Sequence, residues 1–389
     1  MIRSSDGWWI VALLAVASGC GDDDGVGPRA DAGVVDAQVD GHPDAHIEGD
    51  AALAPCDPAC GEGEACLRGV CVATCGAAEG ELAAWDAALA AELVPVANVC
   101  HVPGGPLTVV GTRVYEVSAS ISGSTTTFTL SRWTLDPVVS TPELETLATT
   151  THEGHAMGEI FPGGYVAISP DEMRAIYGYT TTDAGSIGGV FDVALGGGTA
   201  TLTGANGNFD GAWLDANTYV VNGLGIEGEA SEGQGLYTRD VSAPSVRRAV
   251  DAMGTYSGSV AISGDLVIAA GLEGFGSTWP DESEGGRLFV FSRDEILTGR
   301  ATISAWDDAA ARLEGPSIFT IVGARRLVSA VWGDAGIAAL EARALEESGG
   351  AWTLGEPEPL TTGGGFTAAV AAGEDRVLLV HGDGVLLVE

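Results

Sequence analysis

The sequence predicts an all-β fold, a six-bladed β-propeller, preceded by a signal peptide, an acidic linker and a small disulfide-rich module. Three observations predict it. From about residue 104 helical periodicity vanishes, and short apolar runs alternate with Gly, Asp and Ser turns, the pattern of many short strands. Six similar hairpins recur, with turns centred on Gly111, Asp171, Asp215, Gly264, Gly323 and Gly373. Their spacing of roughly 50 residues lies near the blade period of propellers, about 40 to 50.

Residues 1–19 come first. Arg3 gives a short positive start, and Trp8 to Ala17 form an apolar run of ten residues, the length of a secretory signal core and too short to span a bilayer as a helix. Ala17, Ser18 and Gly19 then lead into Cys20. This segment resembles the lipobox of bacterial lipoproteins, with Ala17 standing where Leu is usual. The resemblance implies that the Cys20 thiol receives a diacylglyceryl group and becomes the mature N-terminus. Each methylene buried by such an anchor contributes about 0.8 kcal/mol. Gly21 in place of Asp points, in lipoproteins of enterobacterial type, to the outer membrane. The expected location is therefore outside the cytoplasm, lipid-anchored, at the outer membrane or cell surface.

Residues 20–55 carry the lipidated Cys and a linker. Asp22 to Asp50 hold nine acidic residues and a single Arg. Such a stretch buries too little apolar area to offset its ordering entropy and is expected to stay disordered, extended by its own charge.

Residues 56–80 form the Cys-rich module. Setting Cys20 aside, Cys56, Cys60, Cys66, Cys71, Cys75 and Cys100 make an even six in an exported chain, which argues for three disulfides. Fifteen pairings are open, and spacing does not choose among them. The segment CGEGEACLRGVC is similar to small EGF-like or knob-like modules of bacterial surface proteins. Zinc is the rival reading, but the C-x-x-C pairs of structural zinc sites are absent. Residues 81–93 read as a connecting helix, with Leu82, Trp85, Leu89 and Leu93 on one apolar stripe suited to packing on a neighbouring domain.

The repeat domain spans 94–389. Third strands are expected at FTLSRWTL, GGVFDVAL, GLYTRDV, RLFVFSRD and AGIAALEARAL. The chain stops at GVLLVE, a third strand, so the last blade needs a partner from the other terminus; an open edge invites aggregation. VPVANV, residues 94–99, is the candidate, with Pro95 suited to an exposed edge and Cys100 placed to tie it to the module. VAISPDEMRAIYGY resembles the strand–turn–strand unit of WD40-like and TolB-type propellers, the one repeat that keeps the Ser-Pro-Asp letters. A seven-bladed ring, a pair of sandwiches and another repeat form stay open alternatives.

Charge narrows the function. With 54 acidic residues, 17 Arg, no Lys and a net charge of −37, the chain repels nucleic-acid phosphates and anionic lipid headgroups. Membrane contact is expected only through the lipid anchor. No G-x-S-x-G elbow, Walker loop, H-E-x-x-H or G-x-G-x-x-G opening a helix after a strand occurs, so no catalytic residues are assigned.

The most suggestive cluster is HEGHAMGE, where His152, His155 and Glu159, beside Glu153, offer imidazole and carboxylate ligands to a transition metal. It is expected on the connection from blade one to blade two, and against it stands the ordinariness of solvated His and Glu in loops. Asn206, Asn208 and Asp210 imitate the start of a calcium loop, but Asn217 stands where a bidentate Glu belongs, so a polar turn is expected. His381 reads as a satisfied core residue, and Trp279 in STWPDESEGG as a contact residue. No cofactor is expected beyond that metal candidate. The reading favours a non-enzymatic envelope lipoprotein that presents a propeller surface to a protein or glycan. Its rivals are a propeller enzyme (metal-dependent hydrolase, lactonase-like or redox) and an envelope-assembly scaffold.

Overall fold

A computed structural model describes residues 56–389 apart from 57–58, 137–139, 154–159, 182–188, 198–199, 204, 207–209, 224, 227–234, 244, 252, 254–255, 273–285, 300–301, 306, 317–318, 324, 334–335 and 364. The expected signal peptide, Cys20 and the linker lie outside the described residues, as do His155, Glu159 and Trp279.

The repeats fold as six antiparallel sheets in chain order. Blade one is Leu107–Val110, Arg113–Ser122, Thr125–Thr134 and Glu145–Glu153. Blade two is Ile160–Ile168, Arg174–Thr181, Gly189–Ala194 and Thr201–Thr203. Asp210–Trp213, Thr218–Gly223, Gly235–Asp240 and Arg247–Asp251 make blade three, with Ile303–Ser304 added in parallel at its edge. Blade four is Tyr256–Ser263, Leu266–Leu272, Gly286–Ser292 and Ala311–Glu314. Thr320–Val322, Arg326–Gly333, Gly336–Ser348 and Glu358–Thr362 make blade five. Blade six takes Ala368–Ala371, Val377–His381 and Gly384–Val388 from the C-terminal end and Pro95–Val99 from the N-terminal side.

The ring closes as the unfinished last blade requires. Pro95 pairs with Val388, and Ala97 to Val99 run antiparallel to Leu387 to Val385. The six inner strands neighbour one another in a cycle, the sixth returning to the first. Six hydrophobic clusters fill six seams, one between each pair of adjacent blades. A sandwich would bury one shared core, and a seventh blade would need a seventh seam.

This arrangement explains why the strands read as continuous apolar runs. Blade faces are buried on both sides, so Ala175, Tyr177 and Tyr179 face blade one while Ile176 faces blade three. Each expected hairpin is the inner and second strand of one blade. Gly111 and Gly264 hold φ of 60° in two-residue turns, a conformation that costs glycine little.

Two expectations need correction. The helix covers Glu79–Ala88 rather than 81–93. Leu89 leaves the helical path to bridge Thr361, and the Ala90 N–H bonds Leu360 O at 2.8 Å; pairing with the outer strand of blade five replaces further turns of helix. The stripe is nonetheless buried as read, with Leu82, Trp85, Leu89 and Leu93 in the seam of blades five and six. Pro95, expected on an exposed edge, is buried; the module strand Val70–Ala73 packs against the closing strand that carries it. Among the described residues no helix is long and apolar enough to cross a membrane.

The module itself is a two-stranded hairpin, Glu64–Leu67 with Val70–Ala73. It is pinned by Cys56–Cys66, Cys60–Cys71 and Cys75–Cys100. Cys56, Cys60 and Cys71 lie close enough to one another to suggest a metal cluster, but all three sulfurs are consumed in disulfides.

Candidate functional site

Strands alternate direction within a blade. The links from second to third strand, and from each outer strand to the next blade, therefore leave the ring at one end, here the joining end. HEGHAMGE begins on the last two residues of the outer strand of blade one, and Trp279 lies in sequence between Leu266–Leu272 and Gly286–Ser292, so the strands flanking both end there. The described strands that lead into 154–159 and 273–285 therefore end at one end of the ring, while His155, Glu159 and Trp279 themselves lie outside the described residues.

His152 and Glu153 belong to the outer strand of blade one, paired with Thr126 and Thr125, and not to a loop. The His152 ring packs against Tyr179 and Phe191, with centroids 4.9 and 6.2 Å away. That contact belongs to the seam of blades one and two and gives His152 a packing role.

The polar centre of the joining end is one that spacing did not reveal. Asp210 opens the inner strand of blade three, where a turn was expected. Its carboxylate accepts the Gly211 N–H at 2.8 Å and, from blade four, the Val260 N–H at 2.9 Å. Ser259 adds a side-chain bond to the same carboxylate, and its Oγ accepts the Phe319 N–H of blade five at 3.0 Å. Asn222 donates to Gly258 O at 2.9 Å and Ala270 O at 2.8 Å. Three blades are thus tied near the channel by side chain to backbone bonds. Asn217, the other half of the calcium reading, sits at the opposite end, where its N–H bonds Asp215.

Burial pushes the Asp210 carboxyl up to about 7, against the pull of its three donors. Tyr165, from the inner strand of blade two, lies beside it, packed so closely that a Cβ at Gly211 would stand 2.6 Å from its ring. Its hydroxyl is buried with no hydrogen-bond partner among the described residues, and burial, followed by the Asp210 charge, drives its pKa well up.

A second polar centre at this end also escaped the sequence. His101 Nε2 lies 2.7 Å from Glu116 Oε2, which also receives the Trp133 indole N–H at 3.3 Å. Glu116 is almost wholly buried, and a buried carboxylate needs such partners. His101 follows the closing strand and Glu116 stands on the second strand of blade one, so the pair bonds across the closure of the ring. Their separation of 15 residues matches no motif.

At the other end, the Ser-Pro-Asp repeat is a turn device. Ser169 donates to Asp171 at 2.6 Å, the Arg174 N–H returns to Ser169 at 2.9 Å, and the Arg174 guanidinium reaches buried Asp192 at 2.9 Å. The Ser169 hydrogen bond, ahead of the Met173 N–H, holds the Asp171 carboxyl below its usual range. Glu172 accepts from Tyr115 at 2.6 Å and pairs with Arg113, joining blades one and two.

Comparison with protein-family models and with curated proteins gives no match. Solved structures similar in shape include three. One is the β-propeller domain of the Trilobed protease from Pyrococcus furiosus, at 10% identity over 74% of this chain and 94% of that one, TM-score 0.37. Another is a gluconolactonase from Xanthomonas campestris, at 12% over 79% and 92%, TM-score 0.41. The third is the Dos1 propeller, at 10% over 73% and 66%, TM-score 0.39.

Proposed function

We propose that this chain is an exported, lipid-anchored, non-enzymatic binding protein that presents the joining end of its ring to a protein or glycan. The observation that carries the reading is how the polar groups of that end are used. Asp210 and Ser259 accept backbone N–H groups of blades four and five, and the Asn222 amide donates to two carbonyls of blade four, which makes them ties of the frame. By sequence, 154–159, 182–188, 227–234 and 273–285 contain acidic residues and no Arg, so a polyanionic partner is disfavoured.

The envelope setting rests on the lipobox-like run ending at Cys20. Lipid mass on the Cys20 peptide of the mature protein is the expected finding; a mature chain that keeps residues 1–19 would remove that setting. The binding face is tested by photo-crosslinking groups at Val102 and Ile121, exposed at the joining end, and at Met173, exposed at the other end. Adducts in envelope preparations are expected from the first two and not from Met173. Equal labelling at all three would contradict the assignment.

The enzyme reading keeps one supporting observation. A carboxyl raised to about 7 lies in the range useful for general acid–base work, and Asp210 would be its carrier. A lactone or ester hydrolysis abolished by Asp210→Asn in a folded variant would favour it over the binding reading.

A further inference from the structure

The pairing that closes the ring, Pro95–Val99 with Gly384–Val388, joins positions about 290 residues apart in the chain. Closing a loop of that length is entropically costly, and such an edge frays readily unless tied down. Several contacts from the segment N-terminal to the closing strand tie it down.

Val94 and Glu389 exchange both backbone bonds, at 2.9 and 3.0 Å. Arg68 spans the module and the helix end: its guanidinium pairs with Asp86 at 2.9 Å and donates to the carbonyls of Asp86, Leu89, Ala90 and Leu93. The first two belong to the end of the helix and its cap, where carbonyls lack helical partners, and the other two to the segment that runs on toward the closing strand. At the centre, the Asn98 side-chain amide donates to Ala73 O at 2.8 Å and lies 3.3 Å from Cys75 Sγ, while its oxygen meets His381 Nε2 at 2.8 Å. Module, closing strand and blade six therefore meet at one residue, and Cys75–Cys100 lies beside it. Cys100 directly follows the closing strand.

We propose that residues 56–100 form a redox-gated clasp. The oxidised Cys75–Cys100 bond keeps the closing strand on blade six, and its reduction frees that strand before any other seam opens. Both cysteines are half-buried. Among the described residues every disulfide lies within this segment, so the other seams are held without covalent bonds. Reduction is an ordinary exchange with a dithiol: its thiolates break the S–S bond, Cys75 and Cys100 become thiols, and the reductant leaves as its own cyclic disulfide. The gate rests on the export proposed above, which would put the chain in a compartment where the bond forms.

The test is backbone hydrogen exchange on the full chain, read by mass spectrometry. The double substitution Cys75→Ser with Cys100→Ser is expected to speed exchange in 95–99 and 384–388 at least about tenfold while leaving 256–272 of blade four unchanged. The control Cys56→Ser with Cys66→Ser should leave all three segments as they were. If the double variant does not fold, stepwise dithiothreitol treatment of the folded protein gives the same readout, with 95–99 and 384–388 losing protection first. Unchanged protection at the closing strand overturns the proposal, as does equal loss in blade four or an equal effect of the Cys56 and Cys66 pair.

Discussion

The seam of blades five and six and the seam of blades three and four are built from the same apolar strands, yet they bury opposite kinds of titratable group. In the first, His381 sits under the clasp. Its Nδ1 accepts the Asp383 N–H at 3.3 Å, which leaves the proton on Nε2 for Asn98. Burial pushes that imidazole down to about 4. In the second, burial pushes Asp210 up to about 7. One seam thus favours a neutral base and the other a neutral acid, and the difference teaches that the two halves of the ring should answer acid in opposite directions.

The largest effects should come from the aromatic keystones. Trp85 is buried against His381, with centroids 4.2 Å apart, and Phe289 is fully buried in the seam of blades three and four. Truncating either to Ala should cost about 3 to 5 kcal/mol in denaturant unfolding. Only Trp85→Ala should also loosen the Gly384–Val388 amides below the global transition; similar local opening in Phe289→Ala would erase the contrast between the seams. Next comes Arg68→Met, which removes the cap on several carbonyls and should cost about 2 kcal/mol in the same measurement.

The pH comparison comes third and is read from the sign of each slope. His381 has its pKa lowered, so its contribution is complete above about 6.5 and is lost as pH falls from there toward 4. Asp210 has its pKa raised above the ordinary 3.8, so its burial penalty is complete above about 7 and is relieved as pH falls. The two slopes largely cancel between pH 4 and 6.5. Asp210→Asn should therefore lose stability on acidification across that window, and His381→Gln should gain it. Parallel curves for the two variants would contradict the assignment of either group. The smallest effect belongs to the exposed pair Arg326–Glu358 at 2.9 Å, where Arg326→Ala should change stability by less than about 0.5 kcal/mol.

How much of this was legible in the sequence depends on the range of each contact. The hairpins were readable because both strands of each lie within a few residues of one turn, and the closing strand because GVLLVE lacked a partner while VPVANV had none of its own. Cysteine pairing was not readable, since which sulfur meets which depends on a hairpin register only coordinates supply. The helix was overextended because nothing between Leu89 and Leu93 announces that Thr361, far along the chain, will take the backbone. Asp210 read as part of a polar turn, yet its partner Val260 stands one blade away, beyond any local pattern. His101 and Glu116 were missed for the same reason. Frames built from short-range hairpins declare themselves, whereas polar ties between blades do not.

The claim on which the account stands is that residues 95–99 complete the sixth blade. Solution NMR of the oxidised chain tests it directly through interstrand contacts. Cross-peaks from Val99 to Val385 and from Ala97 to Leu387, in antiparallel register, are the predicted result. A protected 384–388 strand with a different neighbour, or no partner at all, would contradict it.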